Sequence, residues 1–390
     1  MTEHTFNNTT SSGTGPGPEL ALDVDRKEQQ LYVASQWRLM WWRFRKHKVA
    51  MVGAVVVIVF YLVAMFPEFC ATTSYKGSAA KRSWIPPQPI HWLDSGKFRP
   101  HVYAVSGARD PKTYKMVWVA DPNDKIPIRF FAKGFEYKVL GLIPSSRHLI
   151  GVSSDDRDAV DTIFLLGTDI QGRDLYSRLM YGTRISMSIG LLGVLLTLVV
   201  GILLGGISGY YGGSVDNVIQ RVIEVVRSIP TIPLWMGLGA ALPRDWSVVQ
   251  NYLAITIVLS LFGWTGLARV VRGRFLSLRD EDFVAAAEIA GASQFRIIFR
   301  HMLPSFASHI IATVTLRVPG MIISETALSF LGLGMRPPAV SWGVLLQDAQ
   351  SIETIALTPW LMIPALPVII IVLAFNFLGD GLRDAADPYQ

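Results

Sequence analysis

Cysteine is nearly missing from this 390-residue chain: Cys70 stands alone. A single thiol closes no intrachain disulfide and supplies no multi-thiolate metal centre. Charge is scarce as well, at 17% Asp, Glu, Lys and Arg against 51% hydrophobic residues, which is low for a soluble domain. The phosphate-binding pattern G-x-x-x-x-G-K followed by Ser or Thr does not occur, nor does G-x-S-x-G or H-E-x-x-H. The histidines are scattered, with His301 and His309 the nearest to one another in the arginine-bearing region and in no metal motif. Neither nucleophilic nor metal chemistry is expected of this chain. Any ATP that drives it is expected on another polypeptide.

What the sequence does hold is apolar blocks. Six are long enough, or nearly so, for a bilayer crossing of about 20 helical residues: Val49 to Phe66, Ile185 to Tyr210, Val222 to Leu242, Val249 to Leu267, Phe306 to Leu328 and Pro359 to Phe377. The third is weak, interrupted by Pro230 and Pro233. The formal charge of +6 comes from arginines and lysines beside these blocks rather than on a polar domain. That placement points to membrane orientation, not to nucleic acid.

Arg38, Arg43, Arg45, Lys46 and Lys48 crowd the front of the first block, and Arg269, Arg272, Arg274, Arg279, Arg296 and Arg300 follow the fourth. Six crossings put both clusters and both termini in the cytoplasm. The expected organisation is a disordered tail at 1–32, a first span within 33–68, an extracytoplasmic insertion at 69–165, a transmembrane domain at 166–384 and a tail at 385–390. In fold class this is an all-α polytopic membrane protein of about six transmembrane helices, with the insertion between helices 1 and 2. Within the insertion, Lys115 to Ala120 and Ile126 to Phe131 predict short strands.

One stretch asks for more than a connector: DFVAAAEIAGASQFRIIFRHMLPS, residues 282–305. Ala285, Ala286, Ala287 and Ala290 favour a slim helix, and Gly291 ends it and turns the chain. A second helix follows with Phe295, Ile298 and Met302 on one face and Arg296 and Arg300 elsewhere, until Pro304 stops it. Composition alone fits an amphipathic connector as well as a docking element. A small-residue helix lets a partner approach its backbone closely.

This segment resembles the EAA loop of bacterial ABC importer permeases, with Ala286, Ala287, Gly291, Leu303 and Pro304 at the family's spacing. Ala285 stands where the family usually has Glu, and His301 occupies a usually hydrophobic position. LGTDIQGRDLYSR at 166–178, YGTRIS at 181–186, GYYGGSVD at 209–216, ALSFLGLG at 327–334 and NFLGDGLRDAADP at 376–388 resemble the dipeptide, oligopeptide and nickel branch. The resemblance implies a type I importer permease in the bacterial inner membrane. It implies a second permease subunit, two cytoplasmic ATPase subunits carrying ATP and Mg, and an extracytoplasmic solute-binding protein. The EAA-like helices would dock into the ATPases, and the substrate would be a peptide or a related solute such as nickel, an opine or an oligosaccharide.

Arg317 and Glu325 fall in or near the fifth block and are candidates for lining the transport path, with snorkelling and an interhelix contact as the plainer alternatives. Their spacing along a helix argues against a mutual pair. Asp174 and Arg178, four residues apart, fit an ordinary helical ion pair. The competing function, a self-contained secondary transporter or channel, predicts membrane-embedded coupling carboxylates and an internal repeat, and the sequence shows neither clearly.

Overall fold

The structure, a computed structural model, describes residues 36–75, 77, 80–112, 116–152 and 163–386. The expected tail at 1–32, residues 387–390 of the C-terminal tail and Lys115 of the first expected strand lie outside this set. Helix α1 (Gln36–Lys46) meets α2 (Lys48–Met65) at His47, whose ring accepts the Ala50 amide and caps the second helix. The short α3 (Pro67–Cys70) then leads to an antiparallel sheet of β1 (His91–Asp94), β2 (Lys97–Arg109), β3 (Met116–Val139) and β4 (Ile143–Val152), in sequential order.

The sheet corrects the all-α expectation. The two short strands expected around residues 115–131 are parts of one, β3, which runs 24 residues because it pairs with β2 along its first half and with β4 along its second. Alternation buries Ile126 and Ile128 with Val102, Val152 and Ile163 in a small core of its own.

The remaining helices are α4 (Leu175–Tyr211), α5 (Gly213–Ser228), α6 (Thr231–Ala241), α7 (Val248–Leu278), α8 (Asp282–Ile289), α9 (residues 294–305), α10 (Ala307–Thr315), α11 (Val318–Phe330), α12 (Trp342–Gln347), α13 (Ile352–Leu357) and α14 (Ala365–Ala386). Among the described residues five stretches are long and apolar enough to cross a membrane: α2, α4, α7, residues Ala307–Phe330 and residues Pro359–Ala386. The third expected block is instead two short helices, α5 and α6. Pro230 forces Ile229 into extended backbone and ends α5 there. Helices α4 and α7 also overrun their apolar blocks, so Arg269, Arg272 and Arg274 sit on α7 rather than in a loop.

Helices α4 and α7 form the spine of the bundle. Gly201, Gly205 and Gly209, four residues apart, let the backbones meet: a Cβ at Gly205 would lie 2.5 Å from the Ala268 carbonyl oxygen, and one at Gly209 would lie 2.7 Å from that of Arg272. Ser260 Oγ donates to the Gly193 carbonyl at 3.1 Å further along the same seam. Contact numbers rise together on both helices, so α4 and α7 run parallel. The chain between them therefore returns to its starting level through α5 and α6. Asp216 of α5 lies beside Arg272, Ile223 packs on Trp264 and Ala268, and Gly239 of α6 reaches Leu333. Helix α14 runs antiparallel to α2, with Gly381 against Ala50 and Phe375 against Tyr61. The bundle thus has a sheet end, and an opposite end where α1, the last turns of α7 and the 282–305 segment gather.

Candidate functional site

Within residues 282–305 the first helix is anchored mainly through Val284. Val284, 1% exposed, is buried with Phe275, Ile297, Met302, Phe306 and Ile310. The opposite surface is left bare, with Ala285 and Ala286 exposed, while Ala287, one turn from Val284, packs half-buried against the same cluster. Helix α8 ends in a doubly bonded turn, the Ala292 N–H donating to the Ala287 carbonyl at 3.0 Å and the Gly291 N–H to that of Glu288 at 2.9 Å. Gly291 takes φ +75°, a conformation that costs any residue with a Cβ.

Helix α9 starts at Ser293, whose hydroxyl accepts the Arg296 amide, and widens into a π turn over Ile297–Met302. That turn corrects the expected face. Spacing of five rather than four carries Ile297 and Met302 inward, while Phe295 is 72% exposed and its ring lies tilted against Phe299, centroids 4.4 Å apart. His301 and Leu303 are half-buried, and Pro304 is exposed. Around Ala286, one helical turn away on either side, stand Phe283 and the 89%-exposed Ile289. Large apolar side chains around a bare alanine surface are what a protein partner would cover.

The loop is tied to the bundle by residues that sequence reasoning passed over. Tyr210 donates its hydroxyl to Glu288 at 3.2 Å and Tyr211 to Gln294 at 2.7 Å, joining the end of α4 to both helices of the loop. Asp216 receives Nε of Arg272 at 2.6 Å and the Ser208 hydroxyl, bracing α5 against α7 and α4. The sequence signal for both was the GYYGGSVD turn, read only as a turn.

Arg317 and Glu325 do not meet. Arg317 sits at the break between α10 and α11 and donates to the Gly263 carbonyl at 3.1 Å. Glu325 is fully enclosed and accepts from Ser186 at 3.1 Å and Ser329 at 2.8 Å, knitting α4 to α11. Ser186 in turn accepts the Trp342 amide.

The sheet end holds a second polar knot. The expected Asp174–Arg178 pair does not form, because both side chains have other partners. Asp174 caps α4 by accepting the amides of Tyr176 and Ser177 and the Thr72 hydroxyl, and burial pushes its carboxyl above the ordinary value. Arg178 turns to Asp169, which also takes Arg173 at 2.6 Å. Burial, and then the Asp169 charge, push Asp348 upward beside them.

Two relatives decide the family. A glutathione transport system permease protein of Escherichia coli is 33% identical over 357 residues, 91% of each chain. A dipeptide transport system permease protein of Alkalihalophilus pseudofirmus is 30% identical, covering 93% of this chain and 92% of its own. This chain belongs to the binding-protein-dependent transport permeases. Residues 201–389 match the family described as binding-protein-dependent transport system inner membrane component, and residues 35–87 match the N-terminal TM domain of oligopeptide transport permease C. A dipeptide transport permease of Bacillus subtilis is 40% identical over 228 residues, 57% of this permease and 68% of the relative. Among solved structures, the inward-facing MetNI methionine ABC transporter aligns with 54% of this permease and 96% of its own chain at 16% identity and TM-score 0.42. The permease is a transport component of a membrane, not an enzyme.

Proposed function

We propose that this chain is one of two permease subunits of an ATP-driven importer for short peptides or related small solutes. The relatives' names support that substrate class: they are permeases for dipeptides, oligopeptides and glutathione. Two cytosolic ATPase subunits supply the work and hold the ATP and Mg, and a solute-binding protein delivers cargo at the sheet end. The observation that carries the reading is the exposed apolar surface around Ala286, backed by Val284 and tied through Tyr210 and Tyr211 to α4.

In this reading Ala285, Ala286, Ala287 and Gly291 meet an ATPase groove, and His301, Leu303 and Pro304 carry the displacement into α10. The parallel run of α4 and α7 supports a reading with six crossings, in which the α5–α6 pair spans the return. At about 1.5 Å per residue, their 16 and 11 residues reach roughly 40 Å. An even count puts α1, the C-terminus and the loop together on the cytoplasmic side, in keeping with their arginines. Arg317 lines the path at the break in the fifth crossing, and Glu325 braces helices rather than meeting cargo. Coupling then requires only that ATPase closure favour one arrangement of the bundle over the other.

The test is reconstitution. Proteoliposomes holding the permease pair, the ATPases and the binding protein should accumulate labelled dipeptide only with ATP. Accumulation by this chain alone would overturn the assignment.

A further inference from the structure

At the sheet end, the loop from α6 to α7 and the turn from α11 to α12 line an open cleft of about 440 Å³, within the ~300–1,000 Å³ usual for small-molecule sites. Two guanidinium groups line it, Arg244 and Arg336, with the amides of Asn251 and Gln347 and the ring of Trp246. Arg336 is held in place: Nε donates to the Gly332 carbonyl at 3.4 Å and Nη2 to that of Gly239 at 3.3 Å, so one side chain joins the ends of α6 and α11. Those two bonds leave most of its five N–H donors unspent. Among the described residues neither Arg336 nor Arg244 forms an ion pair.

We propose that this cleft binds the free carboxylate of a short peptide on its way into the permease. Guanidinium groups match a planar carboxylate through paired N–H donors, the two amides can complete its hydrogen bonds, and the indole of Trp246 offers an apolar wall to the adjoining side chain. A cleft with two cations and no acidic residue in its lining favours an anion over a neutral or cationic group. The proposal rests on the peptide-import reading and deepens it, by naming the end of the peptide that this subunit holds.

Phenylglyoxal, which modifies free guanidinium groups, supplies the test on the full chain in lipid nanodiscs, read at Arg244 and Arg336 by mass spectrometry. The probes are acetyl-alanyl-alanine and its C-terminal amide. At a concentration twice its Kd the carboxylate form should slow labelling of both arginines about threefold, by mass action, and the amide should leave it unchanged. In Arg336→Gln the carboxylate should no longer protect Arg244. Equal protection by both probes, or protection by neither, overturns the proposal. So does protection by inorganic phosphate or by phosphatidylglycerol in the disc but not by the peptide, which would make the cleft a general anion or lipid site. Dipeptide uptake by the assembled importer separates the two levels of inference. Uptake without protection removes only this site, whereas no uptake removes the peptide reading.

Discussion

At the sheet end of α4, Asp169 is fully buried against Arg178 and Arg173, and Asp174 is spent on capping the helix. At the other end of the same helix, Tyr210 and Tyr211 reach out to a loop whose Phe283, Ile289 and Phe295 stay uncovered. In this knot at the first end the charges are buried and paired within the chain. The second end shows apolar side chains to the solvent, with Val284 buried beneath them. The knot is satisfied by this chain's own groups, whereas the loop carries an uncovered apolar surface.

The largest expected effect breaks the closed end. Arg178→Met leaves the Asp169 carboxylate buried without its main cation, and removing one partner of a buried pair costs about 3–5 kcal/mol. Thermal unfolding in detergent should show a lower Tm, and an unchanged Tm would mean the knot does not hold the end together. Next comes the seam between the ends. Gly209→Val puts its Cβ against the Arg272 carbonyl and should cost about 1–3 kcal/mol by overpacking, read by the same melt.

Ala286→Arg sharpens the contrast, because the side chain is exposed. Its fold should be unaffected, with stability within about 0.5 kcal/mol of the parent. ATP-driven uptake should fall at least about tenfold, equivalent to roughly 1.4 kcal/mol of lost docking. Uptake at the parental rate would remove the docking face. Tyr210→Phe deletes one hydrogen bond to the exposed Glu288 and should cost only about 0.5 kcal/mol, at the weak end for such bonds, while loosening coupling more than folding.

The smallest effect lies in the sheet. The Lys125 ammonium at 2.8 Å holds the half-buried Asp94 carboxyl below its ordinary value. A carboxyl lowered in the folded state contributes stability above its unfolded value and loses it as pH falls through the folded one. Sheet stability in the parent should therefore decline slightly more on acidification than in Asp94→Asn, and parallel pH curves would dismiss the pair.

The long apolar helices were legible because about 20 unbroken apolar residues leave few other solutions, and the slim helix with its Gly291 turn was legible because alanine and glycine act locally. What escaped depended on distant partners. The third block read as one span, but whether two short helices complete a crossing depends on the parallel pairing of α4 with α7. That pairing was written in the Gly201, Gly205, Gly209 stripe and went unread. The inward face of α9 shifted because a π turn changes the period from four to five, which composition does not announce. Arg178 chose Asp169 over Asp174 because Asp174 was already committed to backbone amides.

The proposed docking puts the ATPase on the bare surface at Ala286. The direct measurement introduces Ala286→Cys into a Cys70→Ser chain and follows maleimide labelling in vesicles with and without the ATPase subunits. Strong protection on adding the subunits is the predicted result. Labelling that proceeds at the same rate in their presence would contradict it.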